Sequence, residues 1–171
     1  MRKFLSLILI VALTGCGYTT SSMLPSNFQK IYIPPFENKV DYMNQVERKI
    51  YIPGLETKVL GVVIDRYLFD GNLRIGDQDN ADLILKGKLL SFDREDLRLT
   101  ENEDVKEYRL RVTVSLVLQD SEGNIVWQEP SFSGESTYYT SGPLVKSEST
   151  AIDEALTDLA LRIVARTIED W

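Results

Sequence analysis

Few side chains in this chain are combined in a way that could do chemistry. Among 171 residues there is one cysteine and no histidine. Without histidine the commonest general base and metal ligand are missing, and no Ser-His-Asp arrangement can be built. Carboxylates do cluster: Asp77 with Asp79, Glu95 with Asp96, and Glu101 with Glu103 and Asp104. All lie in polar stretches, whereas acid–base work calls for a carboxyl that burial has set apart from water. Asp77-Gln78-Asp79-Asn80 is a fragment of a calcium loop, but the later bidentate glutamate is missing at the required spacing. A solvated loop is the favoured reading, and no metal is expected. No glycine pattern matches a phosphate cradle or a dinucleotide fingerprint. The expectation is a protein without catalytic residues and without a cofactor.

The cysteine has a more telling setting. Arg2 and Lys3 precede an apolar run from Phe4 to Leu13, and Leu13-Thr14-Gly15-Cys16 closes it. A basic start, a short apolar middle and small residues at the end make a secretory signal, too short for a membrane span of roughly 20 residues. The closing tetrapeptide resembles the lipobox of bacterial lipoproteins. In that class the thiol takes a diacylglycerol, cleavage precedes the cysteine, and the new amino group can be acylated. Each buried acyl CH₂ contributes about 0.8 kcal/mol, so two or three chains hold a protein at a membrane durably. An ordinary signal peptide that happens to precede a cysteine is the alternative.

Residues 1–15 are therefore read as a removed signal peptide and Cys16 as the lipid attachment. Residues 16–29 are the lipidated anchor and tether, and 30–171 a single α+β domain. With Cys16 acylated no disulfide can form, so a mature chain of about 155 residues must be stable through its core alone. Gly17, where lipoproteins retained at the inner membrane of enterobacteria usually carry aspartate, favours the outer membrane. The expected location is the periplasmic side of the cell outer membrane, lipid-anchored.

The formal charge is −7, and it falls to −9 once Arg2 and Lys3 leave with the signal. Such a chain makes a poor nucleic-acid binder, because affinity for phosphate backbones needs surplus Lys and Arg. An anionic ligand would need a local basic patch.

Periodicity supplies the elements. Lys30 to Phe36 reads as a first strand that Pro34 and Pro35 end or place at an edge. Glu37 to Pro53 reads as a long loop, with a short edge strand at 48–52 as the alternative. Gly54 to Asp70 reads as a helix, with Leu55, Val59, Val62, Val63 and Tyr67 in one stripe and Gly71 as its stop. A short strand at 73–75 is possible. Ala81 to Phe92 is the second main strand, and the charged run Asp93 to Lys106 reads as a solvated hairpin tip. Glu107 to Gln119 alternates most clearly, and Asp120 to Asn124 supplies a tight turn. The fourth strand, Ile125 to about Tyr139, is interrupted by a bulge or edge at Pro130. Ser149 to about Asp170 forms the last helix, capped by Ser149 or Thr150. The order β-α-β-β-β-α predicts an α+β two-layer sandwich, with two helices on one face of a mixed, mostly antiparallel four-stranded sheet.

Two surfaces stand out. Lys86, Lys88, Arg109 and Arg111 all point away from the Leu/Val face, so hairpin neighbours would gather them on the helix-free face. A patch for phosphate or carboxylate is the functional reading. Ordinary outward charges paired across strands with Glu107, Glu129 or Glu135 are the alternative, and the favoured one. The aromatic-basic segment Tyr42 to Ile52, with Tyr42, Arg48, Lys49 and Tyr51, is the candidate partner-contact loop.

In order along the chain, several motifs resemble the LPS-assembly lipoprotein family (LptE). They are Gly15-Cys16-Gly17-Tyr18, Ile31-Tyr32-Ile33-Pro34-Pro35-Phe36-Glu37-Asn38 and Ala81-Asp82-Leu83-Ile84-Leu85-Lys86-Gly87. Leu116 to Trp127, with its Asp-x-x-Gly-Asn turn, and the helix Leu156-x-x-Leu159-Ala160-x-x-Ile163-Val164 also fit. The resemblance implies a two-helix, four-stranded sandwich. It also implies a partnership with an outer-membrane β-barrel of the LptD type, which the lipoprotein plugs and helps to assemble, and contact with lipopolysaccharide during its delivery to the cell surface. The family's basic ligand contacts cannot be matched residue by residue, so the four cations rest on chemistry alone. A pilotin or accessory lipoprotein of another envelope machine is a second reading. A lipid carrier with an apolar cavity is a third.

Overall fold

Alternating apolar residues build the sheet, and helical stripes cover one side of it. The computed structural model describes residues 24–25, 27–41, 52–99 and 104–169. Cys16 and the contact residues Tyr42, Arg48, Lys49 and Tyr51 lie outside the described residues. In chain order the elements are β1 (Lys30–Tyr32), β2 (Glu37–Asn38), α1 (Leu55–Asp70), β3 (Arg74–Ile75), β4 (Leu83–Leu99), β5 (Val105–Asp120), β6 (Ile125–Tyr139) and α2 (Glu148–Glu169).

The sheet runs β3-β1-β4-β5-β6, with β2 also against β4. The pairs β1–β3, β1–β4 and β2–β4 are parallel, while β4–β5 and β5–β6 are antiparallel. The α+β class is as expected, but the sheet has six strands where four were predicted. The two additions have short, unremarkable sequences and are recruited by neighbours. Arg74–Ile75 pairs with Lys30–Ile31, as the possible 73–75 strand anticipated, and Glu37–Asn38 pairs with Lys88–Leu89. β1 ends at Tyr32, just before Pro34 and Pro35 as expected, but the association with β4 does not end there. The prolines remove N–H donors between Ile84 and Lys88, and the ladder resumes beyond them.

A second correction concerns Asp93 to Lys106. Much of this run is strand, because β4 continues to Leu99 and β5 begins at Val105. A register shift between Leu89 and Ser91 exchanges the faces, so Phe92 is buried and the charged residues beyond it alternate like any strand. In β6 the register shifts across Pro130, where the bulge was expected.

Leu110, Val112, Val114 and Leu118 are fully buried beneath the helices. From α1, Leu55, Val59, Val63 and Tyr67 meet Leu156, Leu159, Ile163 and Val164 of α2 in one core. The Tyr67 hydroxyl lies 2.7 Å from Thr167 Oγ1, so the buried phenol is satisfied. Gly71 stops α1 at φ 79° and donates its N–H to the Tyr67 carbonyl. The start of α2 is capped by Ser147 rather than by Ser149 or Thr150: Thr150 N–H donates to Ser147 Oγ over 3.1 Å. The helix begins one residue earlier than predicted, which moves the cap upstream.

Candidate binding face

The face of the sheet opposite the helices carries all four predicted cations, but divides them into two groups. Lys86 and Lys88 of β4 lie opposite Val117 and Ser115 of β5. Arg109 and Arg111 of β5 lie opposite Glu95 and Asp93 of β4, and on the other side opposite Thr137 and Glu135 of β6. Ser115 and Arg111 are four positions apart on β5, roughly 13 Å of strand.

The arginine group is a closed lattice over three strands. Arg111 Nε donates to Glu135 Oε1 at 2.7 Å, and its NH1 to Glu95 Oε1 at 3.2 Å. Arg109 reaches the same two carboxylates at 3.5 and 3.9 Å. Donating to the Glu135 carboxylate raises the pKa of Arg111. Each carboxylate thus bridges two guanidiniums, as the favoured reading of paired surface charge anticipated for Glu135. Glu107 and Glu129 take other partners: Glu107 pairs with Arg98 at 2.9 Å and Glu129 with Arg166 of α2 at 3.3 Å.

The lysine group borders a cleft of about 440 Å³, lined by Pro34, Pro35 and Glu37 on one side and Ser115, Val117 and Gln119 on the other. Lys86 Nζ donates to Gln119 Oε1 at 2.7 Å. Lys88 Nζ is 3.7 Å from Glu37 Oε2, and both side chains are about half exposed. Lys39 also reaches Glu37, at 3.3 Å, and together the two lysines hold the Glu37 carboxyl below its ordinary pKa, with the Lys39 hydrogen bond the larger cause. The wall of the cleft is anchored from below. Phe36 is buried and its ring occupies the space that a Cβ at Gly87 would need. Asn38 Nδ2 donates to Glu56 Oε2 of α1 at 3.0 Å, tying β2 to the helix layer.

Sequence reasoning does not bring Glu95 to this face, because its charged run reads as a loop. Continuing the period-two alternation past Phe92 would set it beside the arginines. A cluster on the helix side escapes for the same reason. Arg94 lies 4.8 Å over the Tyr108 ring and 3.2 Å from Glu148, and Tyr108 stacks on Tyr138 at 5.3 Å. Among the described residues no group of three or more acidic, histidine or cysteine side chains could hold a metal ion, and no helix is long and apolar enough to cross a membrane.

Comparison with solved structures finds this arrangement of helices and sheet elsewhere at low sequence identity. A Xanthomonas campestris protein of the DUF330 family superposes with a TM-score of 0.59 at 11% identity, covering 86% of this chain and 90% of that one. A hypothetical protein from Chlamydia trachomatis gives 0.55 at 12% identity, over 81% and 95% of the two chains. PelC from Paraburkholderia phytofirmans, solved as a dodecamer, gives 0.50 at 18% identity, over 88% and 96%. These likenesses concern the fold alone. No curated protein matches the sequence. Residues 28–167, which span every element from β1 through most of α2, match the family described as LptE, lipopolysaccharide-assembly, and the chain belongs to that family.

Proposed function

We propose that this protein is an outer-membrane lipoprotein of the lipopolysaccharide export machinery, anchored through acylated Cys16 and facing the periplasm. It sits inside a large β-barrel of the LptD type as a plug, aids assembly of that barrel, and contacts lipopolysaccharide on its way to the cell surface. Its role is binding rather than catalysis. The family match over residues 28–167 is the observation that carries this reading. The signal-like start and Leu13-Thr14-Gly15-Cys16 support the anchor.

Of the four cations, Lys86 and Lys88 are the pair best placed to take a phosphate or carboxylate, since they border an open cleft. Lys88 would exchange one exposed ion pair, with Glu37, whereas Arg109 and Arg111 would each have to give up two, with Glu95 and Glu135. Tyr42, Arg48, Lys49 and Tyr51 are proposed as barrel contacts on their aromatic-basic composition.

The test is a pull-down of the tagged full chain from detergent-solubilised envelopes, with the co-purifying proteins identified. A stoichiometric barrel of the lipopolysaccharide-export type supports the plug. A secretin or an inner-membrane transporter in its place would assign the chain to another envelope machine. In parallel, Cys16→Ser should abolish labelling by a palmitate probe; continued labelling would defeat the anchor.

A further inference from the structure

β6 ends the sheet, so its outer side would present unpaired backbone groups. In an antiparallel ladder alternate residues turn their N–H and C=O outward, and here Ser133 and Glu135 do so. One group of each is answered from α2. Glu135 N–H donates to Asp158 Oδ2 at 3.0 Å, and the Ser133 carbonyl accepts from Arg162 NH1 at 2.6 Å. Asp158 and Arg162 lie one helical turn apart and 3.8 Å from each other, and the Arg162 guanidinium lies 5.4 Å over the Phe132 ring. The helix comes this near because residue 134 is glycine. A Cβ there would collide with the Leu159 nitrogen and the Ala155 carbonyl oxygen, which are backbone atoms. The flanks of the strand are closed as well. Pro130 has no N–H to offer, and Tyr139 forms a parallel bridge with Val145.

The stretch so covered is one that would otherwise pair readily. Ser131 to Tyr139 has no proline and one charged residue, Glu135, which Arg111 meets at 2.7 Å. A strand edge with little net charge and no proline is a template for an identical edge. Antiparallel addition of β6 to β6 of another molecule would be self-complementary, and would use the same outward groups that Asp158 and Arg162 now occupy.

We propose that Asp158 and Arg162, brought within reach by Gly134, form an edge lock that keeps β6 from adding to β6 of a second copy of this chain. The experiment compares the full chain, purified in detergent, with its Asp158→Ala/Arg162→Ala variant. Loss of the charged hydrogen bond should speed amide exchange at Glu135 by about tenfold while Val112 is unchanged. Sedimentation should show concentration-dependent dimers, since the self-complementary contact closes at two copies, where the wild type should sediment as a monomer. A folded variant that stays monomeric with unchanged exchange at Glu135 overturns the proposal. Should the double variant not fold, Arg162→Ala carries the test, since that side chain is half exposed. It should bind a synthetic Ser131–Tyr139 peptide that the wild type does not bind, and equal binding by the two, or none by either, overturns the lock.

Discussion

On the bare face of the sheet, one end sets each cation between two carboxylates, and the other borders a hollow where a single carboxylate, Glu37, reaches Lys88 at 3.7 Å. Arg109 and Arg111 share Glu95 and Glu135, whereas Lys86 and Lys88 look across at Val117 and Ser115 of β5 and only Lys88 has a carboxylate, Glu37 of β2, on its other side. Both pairs obey the same period-two rule, and nothing in their own sequence neighbourhoods separates them. Register does. The shift after Leu89 brings Glu95 opposite Arg109, and the β5–β6 ladder brings Glu135 opposite Arg111. A cation on a strand is therefore a candidate ligand group or a structural one according to how many carboxylates the neighbouring strands set beside it.

This contrast can be attacked in order of expected effect. It rests first on strand parity. Val114→Asp would bury an unpaired charge among the helices and should abolish folding, a loss of more than about 3 kcal/mol. A native-like melting curve would mean that the faces have been exchanged. It rests next on the wall of the hollow. Gly87→Ala would drive the Phe36 ring out of its place, at a cost of about 1–3 kcal/mol, and should loosen Pro34 to Glu37. Unchanged stability and unchanged amide protection in β2 would show that Phe36 does not anchor the wall.

The helix-covered face supplies a pH test. Burial holds Tyr67 neutral and raises its pKa above the ordinary value of about 10, so the folded protein keeps a proton that the unfolded chain gives up. The stabilisation is present in full below pH 10 and is lost as pH rises above it, by up to about 1.4 kcal/mol per pH unit. Alkaline melting of Tyr67→Phe should fall less steeply than that of the wild type; parallel curves would contradict the assignment.

The smallest effects on stability give the sharpest separation of the two ends. Arg109→Ala/Arg111→Ala should cost about 1 kcal/mol, as a partly exposed network does, and leave lipopolysaccharide binding unchanged. Lys86→Ala/Lys88→Ala should stay within about 0.5 kcal/mol of the wild type and weaken binding severalfold. Equal losses of binding in the two variants would erase the distinction.

Much is decided by local sequence. The stripe Leu55, Val59, Val63, Tyr67 can bury itself on one side only as a helix, and the alternation from Leu110 to Leu118 only as a strand. Gly71 and Pro130 act through their own backbone chemistry, so the helix stop and the bulge are legible in the order of residues. The four cations fall on one face for the same reason. What local sequence could not decide was everything set by a distant neighbour. Glu37–Asn38 is a strand because Lys88–Leu89 offers it an edge, and the charged run beyond Phe92 is a strand because β5 continues beside it. Charge composition there predicts a loop, since solvated residues are neutral towards either state until a partner strand chooses. The division of the bare face into a lattice and a hollow, and the closing of β6 by α2, follow from contacts between residues 16 (Glu95 and Arg111) to 51 (Glu37 and Lys88) positions apart. Such contacts depend on register and helix placement, and only the tertiary structure determines those.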